Sequence, residues 1–340
     1  MLKYTELKNQ RVLLKESIPL DMPFTLFIDP TNWCNFKCSF CPRNQVDFSK
    51  YAGEFKHMSL DLFSKIAQDL REFPRKLKVL RLFYLGEPLL CPDFLSMLHM
   101  AAEKGIAERI EISTNASLLD EEKSRGILDI AQKFHVDIYL RVSIYSVVQE
   151  KFNKITKSPM NINIIHQNVE SFSEMRQKFA WGGQVRIYAK MLDSYDDESK
   201  LFLESYRPIV DEVELEEPME WSGFDKKDLL ADVYSQNQIK RLNEKRMPKV
   251  CAYPFHTLAI QSDGKVVCCC VDWSRHTMVG DVTRESLMDI WTGEALRKLR
   301  ILHLSGRRFE NEACKNCLKL PCGSSYEMDN LDDVSPDVFN

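Results

Sequence analysis

The chain has 340 residues, 44% of them apolar and 28% charged, enough to bury one large core and to carry a second, smaller module. Its 46 Lys and Arg against 50 Asp and Glu give a formal charge of −4, without the concentrated positive footprint that a nucleic acid demands, so no nucleic-acid partner is expected. No apolar run approaches the ~20 residues of a membrane span and the first residues lack the apolar core of a signal peptide, so no membrane partner and a cytoplasmic location are expected.

Residues 1–23 read as an N-terminal extension. From 24 to 217, short β-branched runs alternate with longer periodic stretches, the pattern of successive βα units that build a parallel sheet. Strands are predicted over 24–29, 77–84, 109–113, 136–143, 184–191 and 210–215. Leu60, Phe63, Ile66, Ala67 and Leu70 recur on one helical face behind Ser59, a capping residue, and further helices are predicted near 93–104, 120–133, 161–179 and 197–206. Six strands are too few to close an eight-stranded barrel, so the expected fold is α/β, a partial (β/α)6 TIM-type barrel. Residues 218–250 are charged, end near Met247-Pro248 and read as a connector. Beyond them Ser262-Asp263-Gly264 lies between two apolar runs and predicts a β-hairpin, followed by a helix over 286–302. The stretch 323–340 reads as a tail.

Eleven cysteines fall at 34, 38 and 41, alone at 91, and seven times between 251 and 322. In a reducing compartment such clusters point to metal ligands rather than disulfides. Cys34, Cys38 and Cys41 have the spacing C-x3-C-x2-C directly after the first predicted strand, where the functional loops of a parallel barrel lie. Three thiolates hold three irons of a 4Fe-4S cluster and leave the fourth open; a zinc site short of one ligand and buried unpaired thiols are the alternatives. Farther on, Cys251 and Cys269 flank Gly264, and Cys314-x2-Cys317 follows. Together they supply four thiolates, enough to close a second 4Fe-4S cluster or one zinc site.

With Phe40 ahead of its third cysteine, the first motif resembles that of the radical S-adenosylmethionine (radical SAM) enzymes. The resemblance implies that SAM chelates the open iron and is cleaved to a 5′-deoxyadenosyl radical, which takes a hydrogen atom from the substrate. It also implies SAM contacts. Gly86-Glu87-Pro88 after the second strand resembles the element that meets the methionyl amine, with Leu85 in place of its first glycine. Ser113, Thr114 and Asn115 at the end of the third strand resemble the ribose-contacting segment, and Ser143 is a polar contact on the fourth. The usual glycine-bearing motif is not evident in the fifth strand.

The second cluster, with Gly280-Asp281 and Asp289-Ile290-Trp291, resembles the SPASM/twitch extension of that family and implies a small β-hairpin-plus-helix domain over 251–322. Cys322 follows Cys317 one residue earlier than the full pattern requires, and no cysteine follows it. The shorter arrangement is therefore expected: one auxiliary 4Fe-4S cluster on Cys251, Cys269, Cys314 and Cys317, with Cys268 or Cys270 as substitutes for Cys269.

The layout is similar to that of aminocyclitol dehydrogenases and aminoglycoside epimerases of the family. This implies a small polyhydroxylated substrate, such as a sugar, aminocyclitol or nucleotide-sugar, and an electron donor such as flavodoxin or ferredoxin. Maturation of a ribosomal peptide is the second reading, and a non-catalytic metal-binding protein, which needs no SAM contacts, the third. If Cys269 faces the auxiliary cluster, strand alternation turns Cys268 and Cys270 away from it, and Cys270 becomes the candidate catalytic residue, able to return a hydrogen atom from its weak S–H bond. Simple packing is its alternative. The seven histidines show no ligand spacing and read as surface or core. Cys91 reads as packing, Trp221 and Trp273 as core or pocket lining, and the Glu-rich stretch 211–220 as a charged loop or a contact to substrate hydroxyls.

Overall fold

The computed structural model of the chain describes residues 13–44, 47–216, 249–315, 317 and 330–339. Apolar residues at every second position produce six strands, β1 (Thr25–Ile28), β2 (Leu77–Arg81), β3 (Ala107–Thr114), β4 (Asp137–Ile144), β5 (Val185–Leu192) and β6 (Glu212–Glu216). They pair in chain order, all parallel. Between them lie the helices Leu60–Asp69, Phe94–Glu103, Glu121–Phe134, Ile162–Arg176 and Asp197–Tyr206, as expected for the six units of a partial barrel. Ser59 does cap its helix, its side chain accepting from Leu62 N–H at 3.2 Å.

One face of the sheet is apolar. Leu26, Ile28, Leu80, Ile110, Leu140 and Ile187 are buried with Phe63, Ile66, Phe94 and Ile127 of the helices, which accounts for the core. The residues between them point to the concave side and are largely charged or aromatic.

Three further strands extend the sheet: β7 (Thr257–Ile260), β8 (Lys265–Val267) and β9 (Met278–Asp281). The expected hairpin is β7 and β8, antiparallel, with Gly264 at φ +88° donating its N–H to the Gln261 carbonyl at 2.8 Å. The sequence reading did not foresee that β7 lies parallel to β1, Thr25 opposite Thr257 and Ile28 opposite Ile260. One nine-stranded sheet therefore runs from the barrel into the C-terminal module, in the order β6-β5-β4-β3-β2-β1-β7-β8-β9.

The helix expected over 286–302 is two, Leu287–Thr292 and Glu294–Leu304. Gly293 is extended (φ −70°, ψ 159°) and ends one helix while it begins the other. β2 stops at Arg81 instead of 84: Leu82 N–H still donates to the Glu111 carbonyl of β3 at 2.8 Å, but farther on Leu85 N–H and Gly86 N–H turn to the Asp29 carboxylate. Trp221, Cys322 and residues 218–248 of the expected connector lie outside the described residues. No helix among the described residues is long and apolar enough to cross a membrane.

Candidate functional site

The chain leaves β1 into the loop of Cys34, Cys38 and Cys41. Loop backbone groups need individual partners, and these have them. Lys37 and Ser39 N–H donate to the carbonyls of Thr156 and Ile155, each at 2.9 Å. The buried Arg43 donates from Nη2 to the carbonyls of Cys34 (3.1 Å) and Phe36 (2.7 Å), while Asn44 Nδ2 donates to Cys38 O at 2.9 Å. Phe36 is buried edge-on against Phe152 and Tyr145, and the Phe40 ring lies 5.9 Å from that of Tyr145.

Burial pushes the Cys34 thiol up to about 12, and the Glu87 carboxylate and Cys41 add to the push while Arg43 opposes it. Cys38 is raised well above the ordinary thiol value and Cys41 is raised too, burial being the main cause in both. Thiols in such surroundings ionise only against positive charge, as at a metal centre. Arg43 Nε is buried with no hydrogen-bond partner among the described residues, leaving a spare cationic donor beside the three sulfurs. Three thiols and an unsatisfied guanidinium fit an anionic iron-sulfur cluster.

The Gly-Glu-Pro segment rests directly on this loop. A Cβ on Gly86 would lie 2.1 Å from the Thr31 carbonyl oxygen and 2.3 Å from that of Trp33, so only glycine permits the approach. Glu87 N–H donates to Trp33 O at 2.8 Å. The buried Glu87 carboxylate accepts from Thr114 Oγ1 (2.7 Å), Asn115 N–H (2.8 Å) and Leu89 N–H (3.1 Å). Asn115 Nδ2 in turn donates to Asn35 Oδ1 at 3.0 Å, beside Cys34. Burial raises Glu87 to about 7 and Asp29 to about 8, against the backbone donors that pull both down. The ends of β1, β2 and β3 are thereby tied into one polar network around the cysteine loop.

Gly86→Ala is expected to push these loops apart, because both close atoms are backbone and cannot swing away. SAM binding, read by equilibrium dialysis on anaerobically reconstituted protein, should weaken about tenfold or more. Affinity within twofold of the parent would show that the approach does not matter.

The concave face carries several charged side chains of the strands. Register places Arg81, Glu111 and Tyr139 in one row, Ser113, Arg141 and Tyr188 in the next, and Ser143, Lys190 and Glu214 above them. Glu111 is wholly buried and bonded to Arg81 Nε (2.9 Å) and Arg109 Nη2 (2.8 Å), with Arg141 Nη1 at 3.6 Å. Near the strand ends Lys190 pairs with Glu216 at 2.8 Å, and the Tyr188 hydroxyl donates to Glu214. Ser113 and Ser143 are half-buried on this face.

A second thiol-lined cavity lies in the C-terminal module. Cys251, Cys268, Cys269, Cys314 and Cys317 surround it, with His303, Arg308, Asp272 and Thr277. Burial raises Cys314 to about 12 and raises Cys251 and Cys268 further, while Arg308 opposes the rise in Cys251 and Cys314. Asp272 is fully occupied by the turn, accepting from Thr277 N–H at 2.6 Å, Thr277 Oγ1 at 2.7 Å and Ser274 Oγ at 3.0 Å. The remaining donors are five sulfurs and the His303 imidazole, a thiol-dominated set that fits an iron-sulfur cluster.

The expected turning away of Cys268 does not occur. β8 ends at Val267, with a register shift between Val266 and Val267, so strand alternation stops before the three cysteines. Cys268 and Cys269 both line the cavity, while Cys270 packs with Phe27, Tyr84 and Trp273 between the barrel and the module. Cys91 is buried in the main core and Trp273 in the aromatic cluster. Sequence reading missed Asp29, Arg43, His303 and Arg308, each of which reads as an ordinary polar residue until the fold places it.

A trio of thiols after the first strand of a parallel partial barrel, with a second thiol-lined cavity in the C-terminal module, fits an iron-sulfur protein. Two family models agree: the Radical SAM superfamily matches residues 28–186, and the SPASM iron-sulfur cluster-binding domain matches 251–318. The chain belongs to the radical SAM superfamily and carries a SPASM domain, and its cofactors are SAM, a 4Fe-4S cluster and an auxiliary iron-sulfur cluster. When bound, these supply radical hydrogen-atom abstraction.

A tungsten-containing aldehyde ferredoxin oxidoreductase cofactor-modifying protein of Pyrococcus furiosus is 25% identical over 45% of this chain, which spans 39% of that protein's length. An S-adenosyl-L-methionine-dependent 2-deoxy-scyllo-inosamine dehydrogenase of Niallia circulans is 21% identical over 91% of this chain and 99% of its own. Among solved structures, Streptococcus suis SuiB bound to precursor peptide SuiA shares the fold at a TM-score of 0.61 and 15% identity, covering 94% of this chain and 77% of that one.

Proposed function

We propose that the enzyme oxidises or inverts a carbinol carbon of a small polyhydroxylated substrate, a sugar, aminocyclitol or nucleotide-sugar. The observation that carries this reading is the concave face. Arg141, Lys190, Glu214 and Glu216 offer paired donors and acceptors near the strand ends, which suit a ligand rich in hydroxyls and give an apolar one little to bury. The end-to-end alignment with the Niallia circulans dehydrogenase supports it.

In this reading Cys34, Cys38 and Cys41 hold the SAM cluster, and Phe40, Gly86, Glu87, Pro88, Ser113, Asn115 and Ser143 surround SAM. Cys251, Cys269, Cys314 and Cys317 hold the auxiliary cluster. Cys270 packs against Phe27, whose side chain shares the concave row of Arg81, so its thiol is the candidate to return a hydrogen atom to the substrate. Flavodoxin or ferredoxin supplies electrons. The second reading is a peptide maturase, because the same fold serves SuiB with its precursor peptide.

The test incubates anaerobically reconstituted protein with SAM, a reductant and either polyols or peptides, in deuterated water. The reading expects 5′-deoxyadenosine formation coupled to a polyol. An epimerase should carry solvent deuterium at the inverted carbon and lose that product in Cys270→Ala; a dehydrogenase should yield a ketone in both proteins. Turnover coupled to peptides alone would replace this reading with the maturase.

A further inference from the structure

His303 is the one imidazole in the thiol cavity, and the function described so far gives it no role. It projects from the helix Glu294–Leu304, is 1% exposed, and places Nε2 3.6 Å from Cys314 Sγ, within reach of an N–H···S hydrogen bond. Its other nitrogen, Nδ1, is buried and makes no well-formed hydrogen bond among the described residues, although the Cys251 backbone lies near the ring. The ring's position is fixed by its surroundings. Arg308 is wholly buried in the same cavity and donates from Nη1 to the Cys314 carbonyl at 2.8 Å, which sets the sulfur in place opposite the imidazole.

A histidine packed here for volume alone would be an expensive choice. Its ring is almost completely desolvated, and a leucine or phenylalanine fills such a space without burying two polar nitrogens. In its neutral form such a ring carries a single N–H. Placed on Nε2, that hydrogen meets the Cys314 sulfur.

We propose that His303 is a positioning residue of the auxiliary centre, donating Nε2–H to the Cys314 thiolate and thereby raising the reduction potential of the cluster bound there. The inference rests on Cys314 being a ligand of that cluster. A donated hydrogen bond withdraws electron density from a thiolate ligand, favouring the reduced, more negative state; hydrogen bonds to the sulfurs are among the levers that set iron-sulfur potentials. In an enzyme that hands a substrate electron to its second centre, this contact sets how readily that electron is accepted.

The test is a reductive titration of the reconstituted holoenzyme followed by electron paramagnetic resonance, with added SAM marking the signal of the first cluster because only that centre binds it. His303→Leu removes the donor, and His303→Gln returns an amide N–H near the position of Nε2. The expected result is unchanged iron content, an auxiliary potential shifted to more negative values in His303→Leu, and recovery toward the parent value in His303→Gln. An unchanged potential in iron-replete His303→Leu, or equal shifts in both variants, would overturn the proposal. If His303→Leu loses its auxiliary iron, His303→Gln decides alone: a potential near that of the parent supports donation, and a shifted one refutes it. Cys314→Ala separates the two layers of the argument, since auxiliary iron and signal surviving that change would mean that Cys314 is no ligand, whatever His303 does.

Discussion

Replacing Cys34, Cys38 and Cys41 together by Ala is expected to remove about half of the iron and all formation of 5′-deoxyadenosine, because no open iron remains to chelate SAM. The fold should survive. The loop is held by groups other than its sulfurs: Arg43 binds two of its carbonyls, Thr156 and Ile155 accept two of its N–H groups, and Phe36 anchors it in the core. Circular dichroism and elution volume should therefore match the parent, which separates lost chemistry from lost structure. Replacing Cys314 and Cys317 by Ala should remove the other half of the iron and leave uncoupled SAM cleavage, since the first loop is untouched. The measurements are iron and sulfide analysis with chromatography of the SAM products. Residual 5′-deoxyadenosine from the triple variant, or its complete loss from the double one, would contradict the assignment of the two centres.

The parallel sheet was legible because apolar residues stand at alternate positions within each short run, as Leu26 and Ile28, Ile110 and Ile112, Ile138 and Leu140, and Val185 and Ile187 do, a signal carried by local sequence. The pairing of β7 with β1 was not, because it joins strands from opposite ends of the chain. A hint existed: Thr257–Ile260 is buried throughout, and a short, mostly apolar run suits an interior parallel strand better than one arm of a free hairpin. The cysteine loop was legible from spacing alone. Arg43 was not, since an arginine after Cys41-Pro42 reads as surface until its carbonyl partners are known. The alternation argument for Cys268, Cys269 and Cys270 failed for a local reason, the end of β8 at Val267. His303 sits in a periodic helix and reads as surface or core, and its place in the thiol cavity depends on a tertiary contact with Cys314, eleven residues on.

Glu111→Gln is expected to cost about 3–5 kcal/mol, the range for removing one charge from a buried ion-pair cluster. The native geometry gives the carboxylate three guanidinium neighbours: Arg81 at 2.9 Å, Arg109 at 2.8 Å and Arg141 at 3.6 Å. Burial alone would raise its pKa, yet Arg81, Arg141 and Arg109 together hold it down to about 2. A displacement of this size from the unfolded value of 4.5 corresponds to roughly 3 kcal/mol. The folded pKa is depressed, so this stabilisation is complete above about 4.5 and fades only as pH falls toward 2. The whole effect is therefore present at pH 7.5, where anaerobic urea unfolding should show a clearly lower midpoint for Glu111→Gln. A change below about 0.5 kcal/mol would mean that the three arginines are satisfied without it. Function should change as well. Arg141 also faces Glu216 at 3.8 Å, and Glu216 is the partner of Lys190, so a neutral Glu111 leaves Arg141 free to shift toward the strand ends. If the substrate binds there, KM should rise by more than kcat falls, whereas a purely structural role for the cluster would leave KM untouched in the fraction that remains folded.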